Sequence, residues 1–121
     1  MPAVHLVPAV GYHLRGPKCS LVFTGDTTSN DALWAVVNKI EDLRYLIIET
    51  AFWEAEHDIA VASKHLCPSL LADELKKLKR PAEVYITHLK PGEMELTMQQ
   101  VQAAARALEP NMLVTGQVFS L

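Results

Sequence analysis

Tyr45-Leu46-Ile47-Ile48 is an unbroken apolar run. Successive side chains of a strand point to opposite faces, so such a run reads as a strand covered on both sides. A chain built around it needs layered architecture, and the flanking segments supply the layers. After Pro68, Leu71, Leu75 and Leu78 recur at i, i+4 and i+7, the spacing of a helix with one apolar stripe, and Pro81 closes it. Leu33, Val37 and Ile40 repeat that spacing in a helix of about ten residues, with Thr27, Thr28, Ser29, Asn30 and Asp31 as capping candidates. A helix from Leu96 to Leu108 turns Met98, Val101, Ala105 and Leu108 inward and stops at Pro110; residues 57 to 64 suit a shorter one. Strands are expected at Val4 to Val7 and Gly11 to Leu14, broken at Pro8, then at Ser20 to Thr24 beyond the Gly16-Pro17 turn. Val84 to His88 and Met112 to Phe119 complete the set. The order β-β-β-α-β-α-α-β-α-β describes one α/β layer system without internal repeat, linker or low-complexity stretch.

The chain has 121 residues, of which 50% are hydrophobic and 21% charged, enough for a single globular core. A net charge of −3 and a pI near 5.9 argue against a broad nucleic-acid footprint. The basic stretch Lys76, Lys77, Lys79 and Arg80 reads first as a solvated helix end and only second as a local binding patch. No apolar run approaches membrane-spanning length, so a soluble, cytoplasmic protein without membrane contact is expected. Cys19 and Cys67 have neither zinc-finger nor disulfide-framework spacing: Cys19 reads as a buried thiol, and Cys67 as buried or adjacent to a site.

Chemistry concentrates at the ends of the strands. Leu21-Val22-Phe23-Thr24-Gly25-Asp26 delivers a carboxylate onto a tight turn, the place where sites assemble in α/β folds. Asp26 has two readings here, a bridge between two divalent ions or a cap for the following helix. His88 ends Val84-Tyr85-Ile86-Thr87-His88, and His5 lies in the first strand-like segment; each, taken alone, reads more readily as a satisfied or exposed residue than as a ligand, His5 the more so. His65 stands just before a helix, where the dipole favours its neutral ring, suiting a base or a hydrogen-bonding orienter. Glu49 could orient a histidine from behind. His13 and His57 have no evident partners and read as surface residues. There is no Gly-rich phosphate loop and no nucleophile elbow, which disfavours a P-loop ATPase and a serine hydrolase.

Taken together, Val4-His5-Leu6-Val7-Pro8-Ala9-Val10-Gly11-Tyr12, Phe23-Thr24-Gly25-Asp26-Thr27, Ile48-Glu49-Thr50-Ala51-Phe52, Lys64-His65-Leu66-Cys67-Pro68 and Ile86-Thr87-His88-Leu89-Lys90-Pro91 form an ordered series over almost the whole chain. The series resembles the metallo-β-lactamase-fold hydrolases, and within them the bacterial class II 3′,5′-cyclic-nucleotide phosphodiesterases. A more distant similarity extends to the 3′-tRNA-processing endonucleases. The resemblance implies a mixed sheet with helices on one face, half of an αββα sandwich. It implies that His5, Asp26 and His88 are metal ligands, with Asp26 bridging. It places His65 near the scissile phosphate, with Glu49 behind it. The implied cofactors are two divalent ions, zinc first and manganese or iron(II) as alternatives. The implied reaction is hydrolysis of a cyclic phosphodiester such as cyclic AMP, a small nucleotide substrate.

The family's upstream His-x-His-x-Asp-His signature does not occur in this sequence. The expectation is therefore a single incomplete domain over residues 1–121, the carboxyl-terminal half of a domain about twice as long, lacking its N-terminal half. Such a chain should expose apolar sheet surface and self-associate, pair with a separate N-terminal half, or be a marginal fold. Each metal would keep few of its ligands, so affinity should fall by orders of magnitude and the isolated chain should be inactive. Two alternatives accompany this reading: a catalytically silent fragment or interaction domain, and a hydrolase acting on tRNA 3′ ends.

Overall fold

The computed structural model describes residues 1–121. Its centre is a five-stranded sheet in the order β3-β4-β5-β6-β7: Tyr12–Arg15, Ser20–Phe23, Leu43–Glu49, Glu83–Thr87 and Asn111–Met112. β3 and β4 are antiparallel, joined through Gly16-Pro17, and every other pair is parallel. Parallel neighbours need crossovers, and helices α1 (Asp31–Val37), α3 (Pro68–Leu75) and α4 (Met94–Ala104) provide them. α2 (His57–Ser63) and a 3₁₀ turn (Glu54–Glu56) lie between β5 and α3. A two-stranded ribbon, β1 (Pro2–Ala3) with β2 (Ala9–Val10), stands apart.

One face of the sheet packs on the helices. Val22, Leu46, Ile48, Val84 and Ile86 meet Leu33, Trp34 and Val37 of α1, Leu71 and Leu75 of α3, and Met98 and Val101 of α4 in a single buried cluster. The helical spacing read from the sequence thus identifies the inward stripes. α1 and α3 are tied by a buried carboxylate: Glu74 accepts hydrogen bonds from Trp34 Nε1 (2.7 Å), the Asn30 backbone N–H (3.2 Å) and Lys77 Nζ (2.7 Å).

Several expectations are corrected. Val4 to Val7 is not a strand: Val4 N–H donates to Thr27 Oγ1 and its carbonyl accepts from Thr28 N–H, so its backbone bonds the Thr27-Thr28 turn. His5 therefore sits on the β1–β2 loop. α1 has seven residues, capped by the Asn30 side chain on Leu33 N–H. α3 ends at Leu75, although Leu78 still packs on the core. α4 ends at Ala104, and a 3₁₀ turn follows over Arg106–Leu108. The last strand stops at Met112 because Gly116, at φ +84°, lies in a turn closed by Gln117 N–H to the Val114 carbonyl. Beyond it Phe119 folds onto the face of the sheet opposite the helices, against Tyr45 (4.9 Å between ring centroids) and Tyr85 (5.0 Å). Cys19 is buried, as expected, and its thiol donates to the Ser120 carbonyl at 3.4 Å.

Candidate active site

The sheet's carboxyl edge collects the polar residues. β4 runs out at Phe23, and Gly25 turns the chain at φ +66°. A Cβ on Gly25 would stand 2.8 Å from the Val10 carbonyl oxygen, so both the left-handed conformation and the close pass of β2 require glycine there. The turn delivers Asp26 to the surface. The helix cap is Asn30, which removes the capping reading of Asp26.

His88 follows β6 immediately and itself adopts φ +65°, an uncommon conformation for a non-glycine residue. This twist turns it toward the Asp26 turn, and Nε2 lies 3.5 Å from Asp26 Oδ2, with both side chains about half exposed. His65 follows α2, whose C-cap Lys64 is also left-handed (φ 57°). Its ring lies between two others, 4.7 Å from His5 and 5.1 Å from His88 by centroid, both edge-on. His5 Nδ1 is 3.2 Å from the Lys64 carbonyl. A carbonyl only accepts, so Nδ1 carries the proton and Nε2 keeps its lone pair.

Glu49, fully buried at the end of β5, organises this corner. Its Oε1 accepts from Thr27 N–H and stands 2.6 Å from His65 Nδ1. Its Oε2 accepts from Ala51 and Leu66 N–H. Burial pushes the Glu49 carboxyl up to about 7, against the three backbone donors and the nearby His88. His65 is lowered, first by its own burial and then by His5, with Asp26 opposing. With both Glu49 oxygens accepting, Nδ1–H of His65 is the donor, and Nε2 is the atom left to act.

The structure thus brings together His5, Asp26, Glu49, His65 and His88 from five separate segments. As a test of metal fit, the Asp26–His88 pair offers O and N donors 3.5 Å apart, near the ~3.3 Å between two ligands of one tetrahedral ion. His5, with Nε2 free, lies across His65 from that pair. Two histidines read as surface residues differ from expectation. His13 is half-buried with an unpartnered Nε2, and His57 groups with Glu54 and Cys67, their ligand atoms all within 4.8 Å of one another. Glu54 carried no signal in the sequence, because only the return of the chain after α2 brings Cys67 beside it.

No protein-family model matches this chain, and no curated protein matches it. Among solved structures it is similar to the metallo-beta-lactamase fold protein YhfI from Bacillus subtilis, with a TM-score of 0.78 at 18% identity over 98% of this chain and 47% of that one. It is also similar to human tRNase Z, short form, with a TM-score of 0.69 at 19% identity over 98% of this chain and 40% of that one. The fold is that of the metallo-β-lactamases, as half of the αββα sandwich: a mixed sheet with helices on one face. The chain spans less than half the length of either structure.

Proposed function

We propose that this chain is the carboxyl-terminal half of a metal-dependent phosphodiesterase that opens a cyclic 3′,5′-phosphodiester such as cyclic AMP. The observation that carries the reading is the convergence of His5, Asp26 and His88 around a His65 whose tautomer is set by buried Glu49. Asp26 would bridge two divalent ions, zinc being favoured by the mixed N and O donors, with His88 on one and His5 on the other. When bound, such ions supply Lewis acidity toward the phosphate and lower the pKa of a water. The chain's own residues do the rest. His65 takes up or returns a proton at Nε2 beside the leaving oxygen, while Glu49 balances the charge that develops on the ring. Phe52, 5.8 Å from the His65 ring, excludes water from that side. The other ligands would come from a separate N-terminal half.

The test is hydrolysis of cyclic AMP by the chain together with a segment carrying the His-x-His-x-Asp-His ligands. Activity should vanish with a chelator and fall at least ~10²-fold in Asp26→Ala. Full activity in Asp26→Ala would remove the bridging role, and absence of both hydrolysis and tightly held metal would leave a silent fragment or interaction domain. The similarity to human tRNase Z favours a second reading, cleavage at tRNA 3′ ends. The net charge of −3 weighs against it, and cleavage of a precursor tRNA in the same preparation would replace the cyclic nucleotide as substrate.

A further inference from the structure

Cys67 is completely buried, yet it has no partner of ordinary strength. Its Sγ lies 3.9 Å from Glu54 Oε1 and 3.6 Å from Ser69 Oγ. It occupies the N-cap position of α3 without capping it. The cap comes instead from Glu54, whose Oε2 accepts from Ser69 N–H (2.9 Å) and Oε1 from Ser69 Oγ (2.5 Å). Glu54 and His57 are three residues apart on one continuous turn, so their side chains share a side and face the residue that follows His65-Leu66. The outcome is a thiol, an imidazole and a carboxylate with ligand atoms all within 4.8 Å of one another, and His57 open to solvent on the outer side.

Each part of this arrangement suits a thiophilic cation. In a tetrahedral zinc site two ligand atoms lie ~3.5 Å apart, so the three groups need to draw in by about 1 Å or less, and half-exposed His57 is free on its outer side to move. A thiol is the ligand that a thiophilic ion selects, and Cys67 presents its sulfur to the other two groups. Ser69 holds the Glu54 carboxylate from behind, as outer-shell partners orient metal ligands. The buried thiol gains little from a carboxylate that Ser69 already holds; a divalent ion between them would give the sulfur a strong partner.

The geometry points to a second, independent metal site formed by Glu54, His57 and Cys67, taking a zinc-like divalent ion with water in the fourth position. Its ligands come from the turn before α2, the first residue of α2 and the N-cap of α3, so occupancy would clamp the two ends of the segment that carries His65. No residue is shared with the His5, Asp26 and His88 set, so this site stands or falls separately from the proposed hydrolase.

Cobalt(II) titration of the full chain separates the two sites, because only a cysteine ligand gives a thiolate-to-cobalt charge-transfer band in the near ultraviolet. One equivalent should bind with that band. Cys67→Ser should abolish the band, His57→Gln should weaken binding by about tenfold or more, and Asp26→Ala should leave both unchanged. Absence of the band in the unmodified chain, or its survival in Cys67→Ser, overturns the site. His57→Gln alters a side chain outside the core, so unchanged affinity there overturns it even if Cys67→Ser fails to fold.

Discussion

At the scale of single residues the decisive group is Glu49. A fully buried carboxyl that accepts three backbone N–H groups cannot be replaced by an apolar residue without stranding those donors, each at a cost of about 1–3 kcal/mol. It also selects one tautomer of His65. In Glu49→Gln the amide can still accept from Leu66 and Ala51, but it then presents N–H toward Thr27 N–H and His65 Nδ1. His65 should switch its proton from Nδ1 to Nε2. Nitrogen-15 chemical shifts of the His65 ring measure this directly; an unchanged tautomer would mean that Glu49 does not set it. Gly25 and His88 show the same economy, since a left-handed backbone at each aims a polar side chain that a regular strand would point elsewhere.

At the scale of elements, α1 and α3 are held not only by the leucine stripes but by Glu74, nearly fully buried between them. Burial alone would raise its pKa, but hydrogen bonds from Lys77, Trp34 and Asn30 outweigh it and hold the carboxyl below its usual range. A depressed folded pKa means that the folded state binds the proton less readily than the unfolded one. The stabilisation is therefore present above the ordinary pKa of 4.5 and is lost as pH falls from there through the depressed value. Urea unfolding midpoints between about pH 5 and pH 3 should fall more steeply for the unmodified chain than for Glu74→Gln; equal slopes would exclude this source of acid sensitivity. Glu74→Ala, which strands Trp34 Nε1 and Asn30 N–H, should cost about 2–4 kcal/mol at neutral pH.

At the scale of the whole molecule, the two faces of the sheet are treated differently. The helix face is closed by a continuous core. The opposite face is covered by the C-terminal tail, with Phe119 against Tyr45 and Tyr85, while Tyr12 and Leu14 of β3, Val114 and Val118 of the tail, and Leu6, Val7 and Val10 of the separate ribbon remain exposed. That much apolar surface on a small domain favours association. Sedimentation equilibrium at micromolar concentration should show species larger than the 13.4 kDa monomer, and Leu14→Lys on the edge strand should shift the population toward monomer. A monomer at all concentrations would mean that the tail alone covers enough.

The sequence by itself determined the layers, because apolar period is a local property. The run Tyr45 to Ile48 demanded cover on both faces, and the stripes of Leu33, Val37, Leu71, Leu75, Met98 and Val101 all proved inward-facing. Ordered motifs also singled out His5, Asp26, Glu49, His65 and His88, although their spacing alone left Asp26 undecided between cap and ligand. The tertiary structure removed the cap reading, by placing Asn30 at the helix cap, and turned Asp26 toward His88. The failures were those of long-range competition: Val4 bonded the Thr27-Thr28 turn instead of a strand, and the tail left the sheet at Gly116 to cover Tyr45 and Tyr85. The grouping of Glu54, His57 and Cys67 was invisible for the same reason, since residues 13 apart become neighbours only when the chain returns through α2. Local pattern encodes which face is buried; which polar atoms meet depends on how distant segments cross.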